Sequence, residues 1–124
     1  MKAKIMIVED DEPLRGALEE ILMADGYQVE QAATLAELRQ ALTRGAQDAV
    51  ILDLKLPDGN GLDLLPAVKK KWPGAKVIIL TGHGTMDAAL TAYQQIEDVY
   101  FQSKPFDAPL LKTLLELALS GKPA

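Results

Sequence analysis

Five short apolar runs, each separated from the next by an amphipathic stretch, constrain this chain more than any other feature. They occur at residues 4–8, 28–32, 49–52, 76–80 and 99–102. Rich in Val, Ile and Leu, they predict strands, and the intervening segments repeat their apolar residues at helical spacing. Leu14, Ala17, Leu18, Ile21 and Leu22 mark a first helix, with Pro13 suited to its first turn and Gly26 to its stop. Thr34-Leu35-Ala36-Glu37 has the form of a capping box. It opens a second helix with Leu35, Leu38 and Leu42 on one face, ending near Gly45. Leu62, Leu65, Val68, Lys69 and Trp72 belong to a third, stopped by Pro73-Gly74; Pro66 falls early, so the helix starts close to it or bends there. Met86, Ala89, Leu90 and Tyr93 mark a fourth, and Pro109 opens a fifth that runs to about Leu119. This alternation implies parallel crossovers and an α/β sandwich, a five-stranded parallel sheet with helices on both faces. The third and fourth strands are almost wholly apolar, as strands covered on both faces must be.

The 124 residues are expected to form one domain, with 120–124 as a tail or the start of a linker. No apolar run approaches the roughly 20 residues of a membrane span. Met1-Lys2-Ala3-Lys4 leads straight into a short strand-like run and lacks the longer apolar region of a signal peptide. Zero cysteines exclude disulfides, thiolate metal sites and cysteine nucleophiles. A cytoplasmic protein without membrane association is expected. The net charge of −5 argues against direct nucleic-acid binding, which calls for a basic face. The lysine run Lys69-Lys70-Lys71 ends a predicted helix, where cations suit the helix dipole.

Three fragments follow strand-like runs: Glu9-Asp10-Asp11, Asp53 and Lys104-Pro105. In a parallel sheet they share the C-terminal edge, where open α/β sheets place their sites. Carboxylates of Glu9, Asp10 and Asp53 at about 5 Å separations repel by roughly 3 kcal/mol per pair at an effective dielectric near 20. Such a cluster persists where a cation relieves it or a carboxyl is protonated. Oxygen ligands without His or Cys suit Mg²⁺ (or Mn²⁺). Asp11 or Glu12 is expected to cap the first helix. Asp53 is the candidate nucleophile, since carboxylates form aspartyl-phosphates. The loop Leu54-Lys55-Leu56-Pro57-Asp58-Gly59-Asn60-Gly61 is rich in turn residues and can aim backbone carbonyls at a metal. Lys104 suits a phosphoryl oxygen as a compact charge, and its bond to Pro105 is a candidate cis peptide. Thr81 closes the fourth strand ahead of Gly82-His83-Gly84, and its hydroxyl can donate to a phosphoryl oxygen.

In this order, Ile7-Val8-Glu9-Asp10-Asp11, Asp53 with Leu56-Pro57-Asp58-Gly59-Asn60-Gly61, Thr81-Gly82-His83 and Lys104-Pro105-Phe106 resemble the receiver domain of two-component response regulators. Thr85-Met86-Asp87-Ala88-Ala89 is similar to the sigma-54 activator subgroup. The resemblance covers essentially the full length and implies a flavodoxin-like (βα)5 fold with strand order 2-1-3-4-5. It implies that Asp53 accepts phosphate from a sensor histidine kinase or phosphotransfer protein. Glu9, Asp10, Asp53 and the Lys55 carbonyl would hold Mg²⁺, with Lys104, Thr81 and Gly82 at the phosphoryl group. Thr81 and the aromatic three residues before Lys104, which is Phe101, would relay the change. The surface of the fourth and fifth helices and fifth strand would then meet an output domain, a partner or a second copy. Lys55 and His83 would tune the phosphoryl lifetime.

The chain departs from the family pattern at Ile96-Glu97-Asp98, where a Gly-Ala turn is common, and Thr81 to Lys104 is about one residue longer than usual. Tyr100 would replace Phe101 as the relay if the fifth strand is bulged. Two other functional classes use some of the same residues. A Mg²⁺-dependent phosphohydrolase would share the acids, but Asp53-Leu54-Lys55 lacks the second acid that haloacid-dehalogenase-like phosphatases carry two residues on. A binding module blind to phosphate would not need the full set of acids and the lysine. The fifth helix carries Leu110, Leu111, Leu114, Leu115, Leu117, Ala118 and Leu119, an arc wider than one core-facing stripe needs.

Overall fold

The apolar runs form the strands β1 (Lys4–Val8), β2 (Gln28–Ala32), β3 (Ala49–Leu52), β4 (Lys76–Thr81) and β5 (Val99–Ser103) of one sheet. The computed structural model describes residues 3–82 and 98–120. Within it the strand order is β2-β1-β3-β4-β5, and every neighbouring pair is parallel. β1 and β3 lie side by side with Val8 opposite Leu52, so Glu9 and Asp53 leave the sheet at the same level. β4 and β5 finish together, with Thr81 opposite Ser103.

Side chains alternate across the sheet and build two apolar layers. Met6, Val8, Val50, Leu52, Val77 and Ile79 face the helices α2 (Leu35–Ala41) and α3 (Leu65–Lys71), meeting Leu38, Leu65, Val68 and Trp72. Ile5, Ile7, Ala49, Ile51, Ile78 and Leu80 face α1 (Glu12–Ala24) and the C-terminal helix (Ala108–Ser120), meeting Leu18, Leu22, Leu111 and Leu115. Each fully buried aliphatic side chain contributes about 1.5–3 kcal/mol. Together these layers hold the strand ends, and so the site, in fixed register.

Local chemistry sets the helix ends. Asp11 caps α1, its Oδ1 accepting from the Leu14 amide at 3.2 Å, and Gly26 takes φ 95° beyond the helix. Thr34 Oγ1 accepts from the Glu37 amide at 3.1 Å, and Glu37 returns by accepting from Ala33 N, a variant of the capping box. α2 stops at Ala41 and not near Gly45, because the chain tightens at once into turns from Thr43 to Gln40 and from Arg44 to Ala41. A 3₁₀ turn over Gly61–Leu64 precedes α3, and Pro66 sits in the first turn of that helix, where its missing N–H costs nothing. Asp107 Oδ1 accepts from Leu110 N at the start of the C-terminal helix. Ser120 is helical, so the tail expected from 120 does not include it, and 121–124 lie outside the described residues. So do His83 and the expected fourth helix around Met86, Ala89, Leu90 and Tyr93.

An antiparallel hairpin, Lys55–Leu56 against Gly59–Asn60, follows β3 within the loop expected from turn residues. β5 pairs without a bulge from Val99 to Ser103, so the condition that favoured Tyr100 is not met. Phe101 packs on the α2–α3 layer and Tyr100 on the opposite one. No helix among the described residues is long and apolar enough to cross a membrane.

Candidate functional site

Glu9 and Asp53 are extensions of the strand ladders. The Glu9 amide donates to Ala32 O at 3.0 Å and the Asp53 amide to Val8 O at 2.9 Å, which continues β1 and β3 by one residue each. Side-chain direction at both positions is therefore dictated by the sheet. The carboxylate oxygens of Glu9, Asp10 and Asp53 converge within 4.8 Å of one another. Glu9 and Asp53 are only 2% and 4% exposed, while Asp10 faces solvent. Three converging carboxylates, one of them open to water, match the donor set of a hard divalent cation that keeps several waters.

Lys104 enters the same cluster from the end of β5. Its amide donates to Thr81 O at 2.8 Å, joining the ends of β4 and β5. Its ammonium donates to Asp53 Oδ2 at 3.1 Å and touches Glu9 Oε1 at 2.7 Å as an ion pair that lacks hydrogen-bond alignment. The Lys104–Pro105 peptide is cis. Burial pushes the Glu9 carboxyl up to about 7, with the Asp53 charge adding to the effect against the opposing pull of Lys104 and of the Asp11 amide. Burial also works against the Lys104 charge, yet its pairing with the Glu9 and Asp53 carboxylates outweighs this and holds the ammonium above the usual lysine range. Thr81 is buried at the strand end and Gly82 is exposed next to it, with nothing among the described residues within 4 Å of where a Cβ would stand.

Lys55 splits into two parts. Its side chain is exposed, while its amide donates to Asp53 Oδ1 at 3.3 Å. Three further residues shape the site through contacts that the sequence did not announce. Arg15 reaches back from α1 and donates from its guanidinium to Glu9 O at 2.8 Å, fixing the acidic turn. Gly61 stands so close to the Asp53 backbone that an added Cβ would lie 2.4 Å from Asp53 O. Asp58 accepts from the amides of Leu35 at 2.8 Å and Ala36 at 3.0 Å, and these bonds, led by that from Leu35, hold its carboxyl below the usual range. The turn-rich run to Gly61 signalled a tight loop, but nothing local announced its partners across the fold.

The sequence profile of the response regulator receiver domain matches residues 5–116. The chain belongs to the response regulator receiver domain family. This receiver domain is 36% identical over 116 residues to the DNA-binding transcriptional regulator NtrC of Escherichia coli (strain K12), covering 94% of the chain and 24% of NtrC. Similarity to the photosynthetic apparatus regulatory protein RegA of Rhodovulum sulfidophilum is 35% over 104 residues, 84% of the chain and 56% of RegA. Among solved structures, NtrX from Brucella abortus superposes with a TM-score of 0.84 at 32% identity, over 97% of this chain and 27% of NtrX. The CheY-like receiver domain protein from Methanospirillum hungatei gives 0.87 at 29% identity, over 97% and 95% of the two chains. The chain thus spans about a quarter of the length of the NtrC proteins it resembles.

Proposed function

We propose that this receiver domain is a phosphorylation-controlled switch in which Asp53 takes a phosphoryl group from the phosphohistidine of a sensor kinase or phosphotransfer protein. The observation that carries this reading is the meeting of Asp53 with Lys104 and the Glu9–Asp10 pair at one edge of the sheet. An Asp53 carboxylate oxygen attacks phosphorus, the P–N bond to the donor imidazole breaks, and the imidazole leaves with the bonding electrons. Phosphoryl transfer is promoted mainly by positioning and by neutralising charge on the transferred oxygens. Lys104, already beside Asp53, supplies a positive counter-charge, and the Thr81 hydroxyl and Gly82 amide are donors at the neighbouring strand end.

Glu9, Asp10, Asp53 and the Lys55 carbonyl are the groups suited to hold Mg²⁺ or Mn²⁺. The bound ion would supply charge neutralisation for both the carboxylates and the incoming phosphoryl oxygens. The full unit 1–124 acts as one domain that controls an output domain or partner, and a cytoplasmic location fits a kinase-fed switch. Phe101, partly buried on the α2–α3 layer next to Thr81's strand, is the relay aromatic. It carries the change to the surface of β5 and the C-terminal helix, where a second copy could pair; the fourth helix expected at that surface lies outside the described residues. Lys55 and His83 tune phosphoryl lifetime. Incubation with Mg²⁺ and a small phosphodonor should add one phosphoryl mass in an acid-stable, base-labile form. Absence of the adduct on the wild type, or an undiminished one on Asp53→Asn, rejects the reading.

A further inference from the structure

The hairpin after the candidate phosphoacceptor does not hang free: its tip is fastened to a helix on the same face of the sheet. Asp58, at the turn between Lys55–Leu56 and Gly59–Asn60, spans 23 positions to accept from Leu35 N and 22 to accept from Ala36 N. Its two carboxylate oxygens each take one amide, at 2.8 and 3.0 Å. The next amide of α2, Glu37 N, goes to the helix's own cap, Thr34. Gly59 brings the hairpin tip against Leu35 so tightly that a Cβ would lie 2.9 Å from Leu35 Cδ1, and its φ of 146° is one that side-chain-bearing residues rarely adopt. At the other end of the hairpin, the Lys55 amide bonds Asp53 Oδ1. Gly61 N donates to Leu54 O at 2.8 Å and closes the loop behind it. One short hairpin therefore joins the N-terminus of α2 to the carboxylate of Asp53.

We propose that Asp58 is a positioning residue for the Asp53 site: by clamping the hairpin to the first two amides of α2 it holds the Lys55 backbone, amide and carbonyl alike, in place for Asp53 and its cation. The carbonyl part of this inference rests on the metal site proposed above; the amide part does not. The clamp is charge-assisted at both oxygens, and such bonds are shorter and stronger than neutral ones. Groups that orient a metal's ligands without touching it typically change affinity by about 10-fold or more when removed.

Thr34 provides the control. Thr34→Ala removes one capping bond of α2 and leaves the hairpin clamp intact, whereas Asp58→Ala removes two capping bonds and the clamp together. Two readouts separate positioning from plain helix stability: amide hydrogen exchange at Lys55 and Leu56 in the metal-free protein, and Mg²⁺ affinity by calorimetry well below the melting temperature. Asp58→Ala is expected to speed exchange at Lys55 several-fold and to weaken Mg²⁺ binding roughly tenfold. Thr34→Ala is expected to lower the melting temperature with both readouts at wild-type values. Asp58→Asn, which keeps one carbonyl acceptor, should fall between, and serves in place of Asp58→Ala if that variant does not fold. Wild-type exchange at Lys55 in the Asp58 variants, or equal loss in Thr34→Ala, overturns the clamp. If the wild type itself binds no Mg²⁺, the metal reading fails, and exchange at Lys55 alone decides the role of Asp58.

Discussion

The Lys104 ammonium lies 3.1 Å from Asp53 Oδ2, joining residues 51 positions apart at the ends of two strands that are not neighbours in the sheet. β4 separates them, and the Lys104 amide is anchored to that strand through Thr81 O. The ion pair therefore reports the alignment of three strands at once. Replacing Lys104 with Met keeps the aliphatic stem and deletes the charge. Breaking a buried pair from one side costs about 3–5 kcal/mol, and roughly half of that is expected here because water reaches the ammonium. Chemical denaturation of the metal-free protein should register the loss. Phosphoryl transfer to Asp53 should slow by orders of magnitude while Mg²⁺ binding persists or tightens, since a competing cation has gone.

Glu9 gives the site a pH dependence with a defined sign. Its carboxyl is raised from 4.5 to about 7 in the folded protein, mainly by burial. The folded state thus binds the proton more tightly than the unfolded chain does. The stability this contributes is fully present below about 4.5 and is lost as pH rises through about 7. Metal-free protein should melt at a lower temperature at pH 8 than at pH 5.5, and Glu9→Gln should flatten that trend. A cation and a proton compete for the same oxygens, so apparent Mg²⁺ affinity should rise with pH, by up to about tenfold per pH unit, and level off above 7. A titration series from pH 5.5 to 8.5 checks both slopes.

Gly61 tests how closely the loop must approach Asp53. An added methyl would meet Asp53 O at 2.4 Å, a distance that forces the backbone to move. Gly61→Ala is expected to cost about 1–3 kcal/mol, the range for overpacking a tight site, and to lower phosphoryl acceptance by displacing Asp53. Gly45→Ala, at a position with nothing within 4 Å, should leave phosphorylation unchanged. Side-by-side melting curves and phosphorylation time courses of the two variants distinguish steric displacement from a general effect of replacing glycine.

Sequence and structure agree where one physical rule acts alone. Alternating apolar runs determine the strands, and a parallel sheet must gather the residues after β1, β3 and β5 at one edge, so Glu9, Asp53 and Lys104 could be brought together from spacing. A helix cap was expected from Asp11 or Glu12, and the bond from the Leu14 amide shows that it is Asp11. Asp58 and Arg15 were not legible in this way. Each is an exposed charged residue in sequence terms, and its importance comes from a backbone amide or carbonyl that only the folded chain brings within reach. The end of α2 was misplaced for a related reason: Leu42 continues the helical apolar pattern, but the turns at Thr43 and Arg44 draw it into the core without a further helical residue.

Asp98 carries the last prediction. It stands where the family commonly has a small turn, and it is the one non-glycine among the described residues with positive φ, at 65°. Asp and Asn tolerate this left-handed region better than other side chains. Its carboxylate pairs with Lys76 Nζ at 2.8 Å, and its carbonyl accepts from Val77 N at 2.8 Å, so the residue just before β5 is tied to the start of β4. Asp98→Ala loses the ion pair and strains the backbone, and should cost about 1–2 kcal/mol. Asp98→Asn keeps the backbone tolerance and loses only the partly exposed pair, which places its cost below about 1 kcal/mol. Asp98→Gly relieves the strain that the ion pair now offsets, and should be close to neutral. Urea melts of the three variants give the order: Gly and Asn near wild type, Ala clearly below. A different order would mean that the Lys76 pair, and not backbone conformation, holds the entry to β5. In every case Asp53 phosphorylation should be retained, because the strand ends that form the site lie at the opposite edge of the sheet from this turn.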